Sequence, residues 1–223
     1  YLRILRATYN KAVEKGLIPT PQQNPFKNVY TGITKTKKRA IPTTSVSSIK
    51  HWDATHDSNK LTYKQELARD AFLMSFYLRG ISFIDLAHLR KSDLKDGFIS
   101  YTRSKTGQRL SIRWEKDMQD MVDKYQAETV SSPYLFPFLA SDTKRKNRTI
   151  LDKRKDELRL YHNAESRIAY HLKKLGAKMG IQGKLTLYVA RHSWATAARD
   201  SNISISVISE ALGHNSETTT QIY

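Results

Sequence analysis

Apolar positions recur along this chain at helical spacing, with one short stretch where they alternate. Leu2, Leu5, Tyr9 and Val13 stand at steps of three and four, which predicts a helix over 1–16 with Gly16 as its stop. Pro19, Pro21 and Pro25 then rule out a continuation. Pro42-Thr43-Thr44-Ser45 offers the next helix start, running to Trp52. A longer helix spans Tyr63 to Leu78, with Leu67, Phe72 and Phe76 among its apolar positions. Gly80 interrupts, and Ser82 to Leu89 reads as helix again. Asp96-Gly97 is a turn-forming pair. Phe98–Thr102 and Gln108–Trp114 are strand-like and are joined through Arg103-Ser104-Lys105-Thr106-Gly107.

Beyond the strands, helix resumes over Glu115–Tyr125. Residues 141–163 are strongly charged and show no assignable period. Ile168, Leu172, Leu175 and Met179 make a helical stripe within Arg167–Met179. Helices follow over Arg191–Arg199 and Ser204–Leu212, the second capped by Gly213, and a short one carries Thr218 to Tyr223. The expected fold class is mostly α with a small antiparallel β-sheet (α+β), without internal repeats. Three segments are expected. Residues 1–26 are the last helix of an upstream domain with the start of a linker, 27–40 a basic linker, and 41–223 the main domain.

Composition narrows the partners. The chain has 223 residues, 39% hydrophobic and 26% charged, which suits a globular protein. Lys and Arg number 38 against 21 Asp and Glu, a net charge of +17. An excess that large makes a polyanion the expected partner, and nucleic acid is favoured over membrane because no basic amphipathic segment dominates. The run Lys35, Lys37, Lys38 and Arg39 is placed to lie along phosphates. With no cysteine, disulfides, thiolate catalysis and cysteine-based zinc sites are excluded. No apolar run approaches the ~20 residues of a membrane helix, and the N-terminus lacks the features of a signal peptide. A cytoplasmic location is expected. The absence of an initiator Met suggests a fragment cut on its N-terminal side.

Four features carry candidate chemistry: Tyr188-Val-Ala-Arg191-His192-Ser193-Trp194-Ala195-Thr196, Leu212-Gly213-His214, Tyr223 nine residues after His214, and Lys105 in the strand–turn–strand. Taken singly, each has a structural explanation: a surface Arg, a His after a capping Gly, a terminal Tyr anchored in a groove. Taken together, Leu-Gly-His, two Thr in the next turn and a Tyr at nine residues resemble the end of the tyrosine recombinase (phage integrase) family. Arg-His-Ser-Trp-Ala-Thr is similar to that family's Arg-His-Thr-Phe-Ala-Thr. The resemblance runs from about Ile41 to Tyr223, and residues 1–26 look like the last helix of the core-binding domain that precedes the catalytic domain. The segment Phe76–Leu89 with Thr106-Gly107-Gln108 looks most like recombinases of Bacteroides mobile elements.

The resemblance implies a tyrosine recombinase catalytic-domain fold and a site-specific recombinase or integrase. Tyr223 would be the nucleophile, Arg191 the second family arginine, His214 the phosphate-binding His or Trp, and Lys105 the general acid. A phenol with pKa near 10 is a poor nucleophile at neutral pH, so cations must surround the phosphate. Arg suits this, because its planar fork binds two phosphate oxygens. Neither metal nor other cofactor is expected. The implied partner is double-stranded DNA, met as a tetramer on two sites, with this fragment alone a monomer.

Two places depart from the family pattern. Tyr188 stands where the family has His, and the neighbouring His192, taken as a DNA contact, would point to a different helix face. Aligning Gly80–Leu86 to Gly-Leu-Arg-x-x-Glu-Leu puts Ser82 where the first arginine belongs. Arg103, on the face shared with Lys105, or Arg79, a helical turn before Ser82, would compensate. Arg103 is the expected choice, and Arg79 is alternatively a structural partner of Asp70 or Asp85. Competing readings are a type IB topoisomerase-like enzyme and a non-catalytic DNA-binding regulator with Val207–Tyr223 as helix-turn-helix.

Overall fold

The computed structural model describes residues 1–30, 39–52, 60–139 and 149–222. The chain divides into two compact units, Tyr1–Lys37 and Lys38–Tyr223.

The first unit holds α1 (Leu2–Glu14). Its end is a Schellman motif. Gly16 adopts φ +65°, Gly16 N donates to Val13 O at 2.9 Å, and Leu17 N donates to Ala12 O at 2.9 Å. The Tyr9 ring then packs edge-on against Phe26 at 5.7 Å.

The second unit is built around α3 (Tyr63–Tyr77). It buries Ala68, Ala71, Phe72, Leu73 and Met74, and is started by a Thr62/Gln65 capping box. α2 (Thr43–Lys50) packs on it through the buried Val46 and Ile49. α4 (Phe83–Ala87) is a short helix that ends earlier than the apolar pattern predicts. Beyond it, the Leu89 carbonyl receives Leu135 N at 2.9 Å.

A three-stranded antiparallel sheet follows: β1 (Leu94–Lys95), β2 (Phe98–Thr102) and β3 (Arg109–Arg113), in that order. β2 lies where its alternation predicts. β1 is unforeseen, because two residues carry no period; the Asp96-Gly97 turn, with φ +51° and +75°, folds it onto β2. Ile99 faces Ile112, and Tyr101 faces Leu110. α5 (Lys116–Asp123) and α6 (Gln126–Thr129) come next.

α7 (Ile150–Lys178) is a 29-residue helix, far longer than its apolar stripe. Its first half bears charge on nearly every face, so no periodicity announces it. A Thr149/Asp152 capping box starts it, while Ile168, Leu172 and Leu175 bury its second half. α8 (Leu187–Asp200) packs against α3. α9 (Ile205–Ala211) joins α8 through the small cluster Ala195, Ala198, Ile208 and Leu212. α10 (Glu217–Thr220) closes the described chain. The architecture is mostly α with a small antiparallel sheet, as expected.

Candidate active site

A cavity of about 540 Å³ opens between α4, the turn after β2, α7, α8 and the segment His214–Ile222. Arg103, Lys105, Tyr188, Arg191 and His214 all line it. They come from three separate stretches of sequence.

Arg191 is held on α8, whose N-cap Thr186 accepts Val189 N. Its side chain is 8% exposed. Nη1 donates to Gly80 O at 2.8 Å, and Nη2 donates to Leu212 O at 2.6 Å. Nη2 also lies 2.8 Å from His214 Nε2. Arg103, equally buried, donates from Nη1 to Gly213 O, and Thr106 Oγ1 donates to the same carbonyl at 3.2 Å. Two arginines thus grip consecutive carbonyls of the Leu212-Gly213-His214 corner. Gly213 adopts φ +66°, and a β-carbon there would approach Arg103 Cδ to 3.0 Å.

Electrostatics follow from this crowding of cations. Burial first, then Arg191, Arg103 and Lys105, push the His214 pKa down to about 4, so the ring is neutral at physiological pH. The Tyr101 phenol is pushed up by burial and by Asp85, against the opposing pull of Arg191, Arg103 and Arg79.

Asp85 does more than hold a place in the family pattern or face Arg79. Oδ2 accepts Ser82 Oγ at 2.6 Å. Oδ1 accepts Ser104 N at 2.9 Å and Ser104 Oγ at 2.5 Å. The carboxylate therefore ties the start of α4 to the turn that carries Arg103 and Lys105. Ser82-x-x-Asp85 is a capping-box pattern, the one local signal that could have revealed it. Thr106 and Thr220, which also bond at the site, give no such signal.

The two candidates for the missing arginine separate cleanly. Arg103 lines the cavity; Arg79 does not. The continuous helix that would have set Arg79 one turn before Ser82 is absent. α3 ends at Tyr77, and Arg79 (φ +56°) and Gly80 (φ +76°) reverse the chain. Neither expected carboxylate pairs with Arg79 among the described residues. Asp70 is taken by Arg69, Lys124 and Tyr125, and Asp85 by Ser82 and Ser104.

His192 also needs correction as a DNA contact. It is 2% exposed, and burial, Arg39 and Arg191 lower its pKa to about 4. It sits edge-on to the Tyr188 ring at 4.5 Å, inside the fold. Tyr188 itself is 41% exposed at the rim, with the Arg39 guanidinium 5.5 Å above its ring. Lys35, Lys37, Lys38 and Tyr223 lie outside the described residues. Ile222, directly before Tyr223, borders the cavity. The helix-turn-helix alternative fits poorly, because α10 has four residues, too few to read a major groove. Among the described residues no cluster of three or more His, Asp or Glu could hold a metal, and no helix is long and apolar enough to cross a membrane.

This architecture is shared with solved structures. A lambda integrase (75-356) dimer bound to a COC′ core site matches 98% of this chain and 71% of its own, at 17% identity and TM-score 0.61. The XerH site-specific recombinase in a post-cleavage complex matches 92% and 55%, at 15% identity and TM-score 0.63. The fold is that of a tyrosine recombinase catalytic domain. The Phage integrase family profile covers residues 53–223, and the chain belongs to the Phage integrase family. A tyrosine recombinase XerA from Pyrococcus furiosus is 30% identical over 163 residues, which are 72% of this chain and 51% of that protein. The chain thus spans about half the length of this relative.

Proposed function

We propose that this chain is the catalytic part of a site-specific DNA recombinase acting through Tyr223. The observation that carries the reading is the convergence of Arg103, Arg191, His214 and Lys105 on one cavity bordered by the residue before Tyr223. The Tyr223 oxygen attacks the scissile phosphorus, and the bond to the 5′ oxygen breaks. Lys105 gives that oxygen a proton. Arg191, Arg103 and His214 stabilise the charge on the non-bridging oxygens. The 3′-phosphotyrosyl bond conserves the energy of the cut strand, so a 5′-hydroxyl from a second strand rejoins it with neither metal nor nucleotide. Arg103 stands in for the first family arginine, displaced by Ser82, and the Tyr188 hydroxyl takes the place of the family His.

The partner is double-stranded DNA, engaged by a tetramer on two sites, with Lys35, Lys37, Lys38 and Arg39 along the phosphates. Residues 1–26 belong to a core-binding domain, residues 27–40 form the linker, and the protein works in the cytoplasm. The segment Phe76–Leu89 with Thr106-Gly107-Gln108 supports kinship with recombinases of Bacteroides mobile elements.

The test is a nicked suicide duplex, selected with the wild-type chain from a library randomised in its core. A covalent adduct is expected on a denaturing gel. Tyr223→Phe should keep DNA affinity and lose the adduct. Specific binding with no adduct from the wild type would refute the enzyme reading. Recombinant or Holliday-junction products, rather than relaxation alone, separate it from a topoisomerase.

A further inference from the structure

Arg191 and Thr220 approach His214 from opposite ends of its ring. Arg191 Nη2 lies 2.8 Å from Nε2, and Thr220 Oγ1 lies 2.8 Å from Nδ1. A guanidinium nitrogen only donates, so Nε2 accepts. The neutral ring then carries its one proton on Nδ1 and gives it to Thr220. In this tautomer Nε2 has no proton for a phosphate oxygen.

A threonine hydroxyl both donates and accepts. Thr220 is 2% exposed, so its hydroxyl meets the ring nitrogen inside the fold. We propose that Thr220 is a positioning residue that lets His214 change roles, from accepting Arg191 to donating from Nε2 to a phosphate oxygen. In the exchange Nδ1 releases its proton to solvent water, and water returns one to Nε2. The Thr220 hydroxyl rotates and donates to the bare Nδ1. The ring stays neutral and the proton count is unchanged. Protonation offers no easier route, since burial and three nearby cations depress the ring's pKa.

The same bond ties α10 to the phosphate-binding corner. Tyr223 follows Thr220 by three residues in the sequence. One hydroxyl thereby links the phosphate ligand to the segment that delivers the nucleophile. The inference rests on the reading of His214 as a phosphate ligand.

The experiment uses the full chain with ¹⁵N-labelled histidine and inorganic phosphate as the probe. The His214 ring nitrogens should report the Nδ1–H tautomer at first. Saturating phosphate should move wild type and Thr220→Ser toward Nε2–H, and leave Thr220→Val unmoved. Adduct formation on the selected duplex should fall about 100-fold in Thr220→Val, with DNA affinity within 2-fold, and recover to within several-fold in Thr220→Ser. Three results would overturn the proposal: an Nε2–H ring before phosphate is added, a full response in Thr220→Val, or equal impairment by Ser and Val. Failure of the wild type to form any adduct refutes the recombinase reading instead, and the ring nitrogens still decide whether Thr220 governs the tautomer.

Discussion

A β-carbon on Gly80 would lie 2.4 Å from Cγ of Arg191 and 2.7 Å from its Cα. The Gly80 carbonyl also accepts Arg191 Nη1 at 2.8 Å. Gly80 is therefore both the partner of the arginine and the gap that admits it. Its φ of +76° further favours glycine. Gly80→Ala should cut adduct formation about 100-fold by moving Arg191. Gly97→Ala shares the positive φ but meets nothing within 4 Å, and is expected to lower thermal stability while leaving the adduct rate near wild type. Equal rates in the two variants would break the argument.

Arg103 and Arg79 are distinguishable by kinetics. Arg103→Ala should lose ~10²–10³ in single-turnover cleavage, the usual loss for one donor to a charged transition state. Arg79→Ala should lose less than about 10-fold, since it lies off the cavity. The reverse order would place the compensating charge on Arg79.

Asp85 should act through the Lys105 turn. Asp85→Asn weakens the acceptor for Ser104 and loosens that turn. A duplex whose 5′ bridging oxygen is replaced by sulfur needs little help from a general acid, because a thiol leaves readily. Cleavage of that duplex by Asp85→Asn, and by Lys105→Ala, should recover by at least about 10-fold relative to the oxygen substrate. A variant impaired equally on both substrates has lost packing instead.

Two histidines should make the fold acid-sensitive. His192 and His214 are each depressed to about 4 from an ordinary 6.5, so the unfolded chain binds more protons across that window. The stability they contribute is fully present above about 6.5 and is lost as pH falls toward and through 4. Thermal midpoints measured from pH 7 to 4 should drop, and His192→Gln and His214→Gln should each show a shallower slope. An unchanged slope in both would mean that neither ring is held neutral.

Several elements were legible because they are local. The steps of three and four in α1, the alternation of β2, and the capping role of Gly213 each depend on a few neighbouring residues. The first half of α7 was not legible, because charge on most faces erases the period and capping has to start the helix. Arg103, Lys105, Arg191 and His214 were all chosen from sequence, and all reach the cavity. His192 failed because its neighbour in sequence, Arg191, says nothing of which side of α8 meets the interior.

The sequence by itself determined the helical stripes, the Asp96-Gly97 turn, the excess of positive charge, and the spacing from Arg191 through His214 to Tyr223. Only the tertiary structure decided which arginine stands at the cavity and what holds it. That choice depends on a chain reversal at Arg79 and Gly80, and on contacts such as Arg103 to Gly213, 110 residues apart. A side chain's direction is set by its local backbone angles, but its neighbours are set by packing. No short window of sequence contains the second.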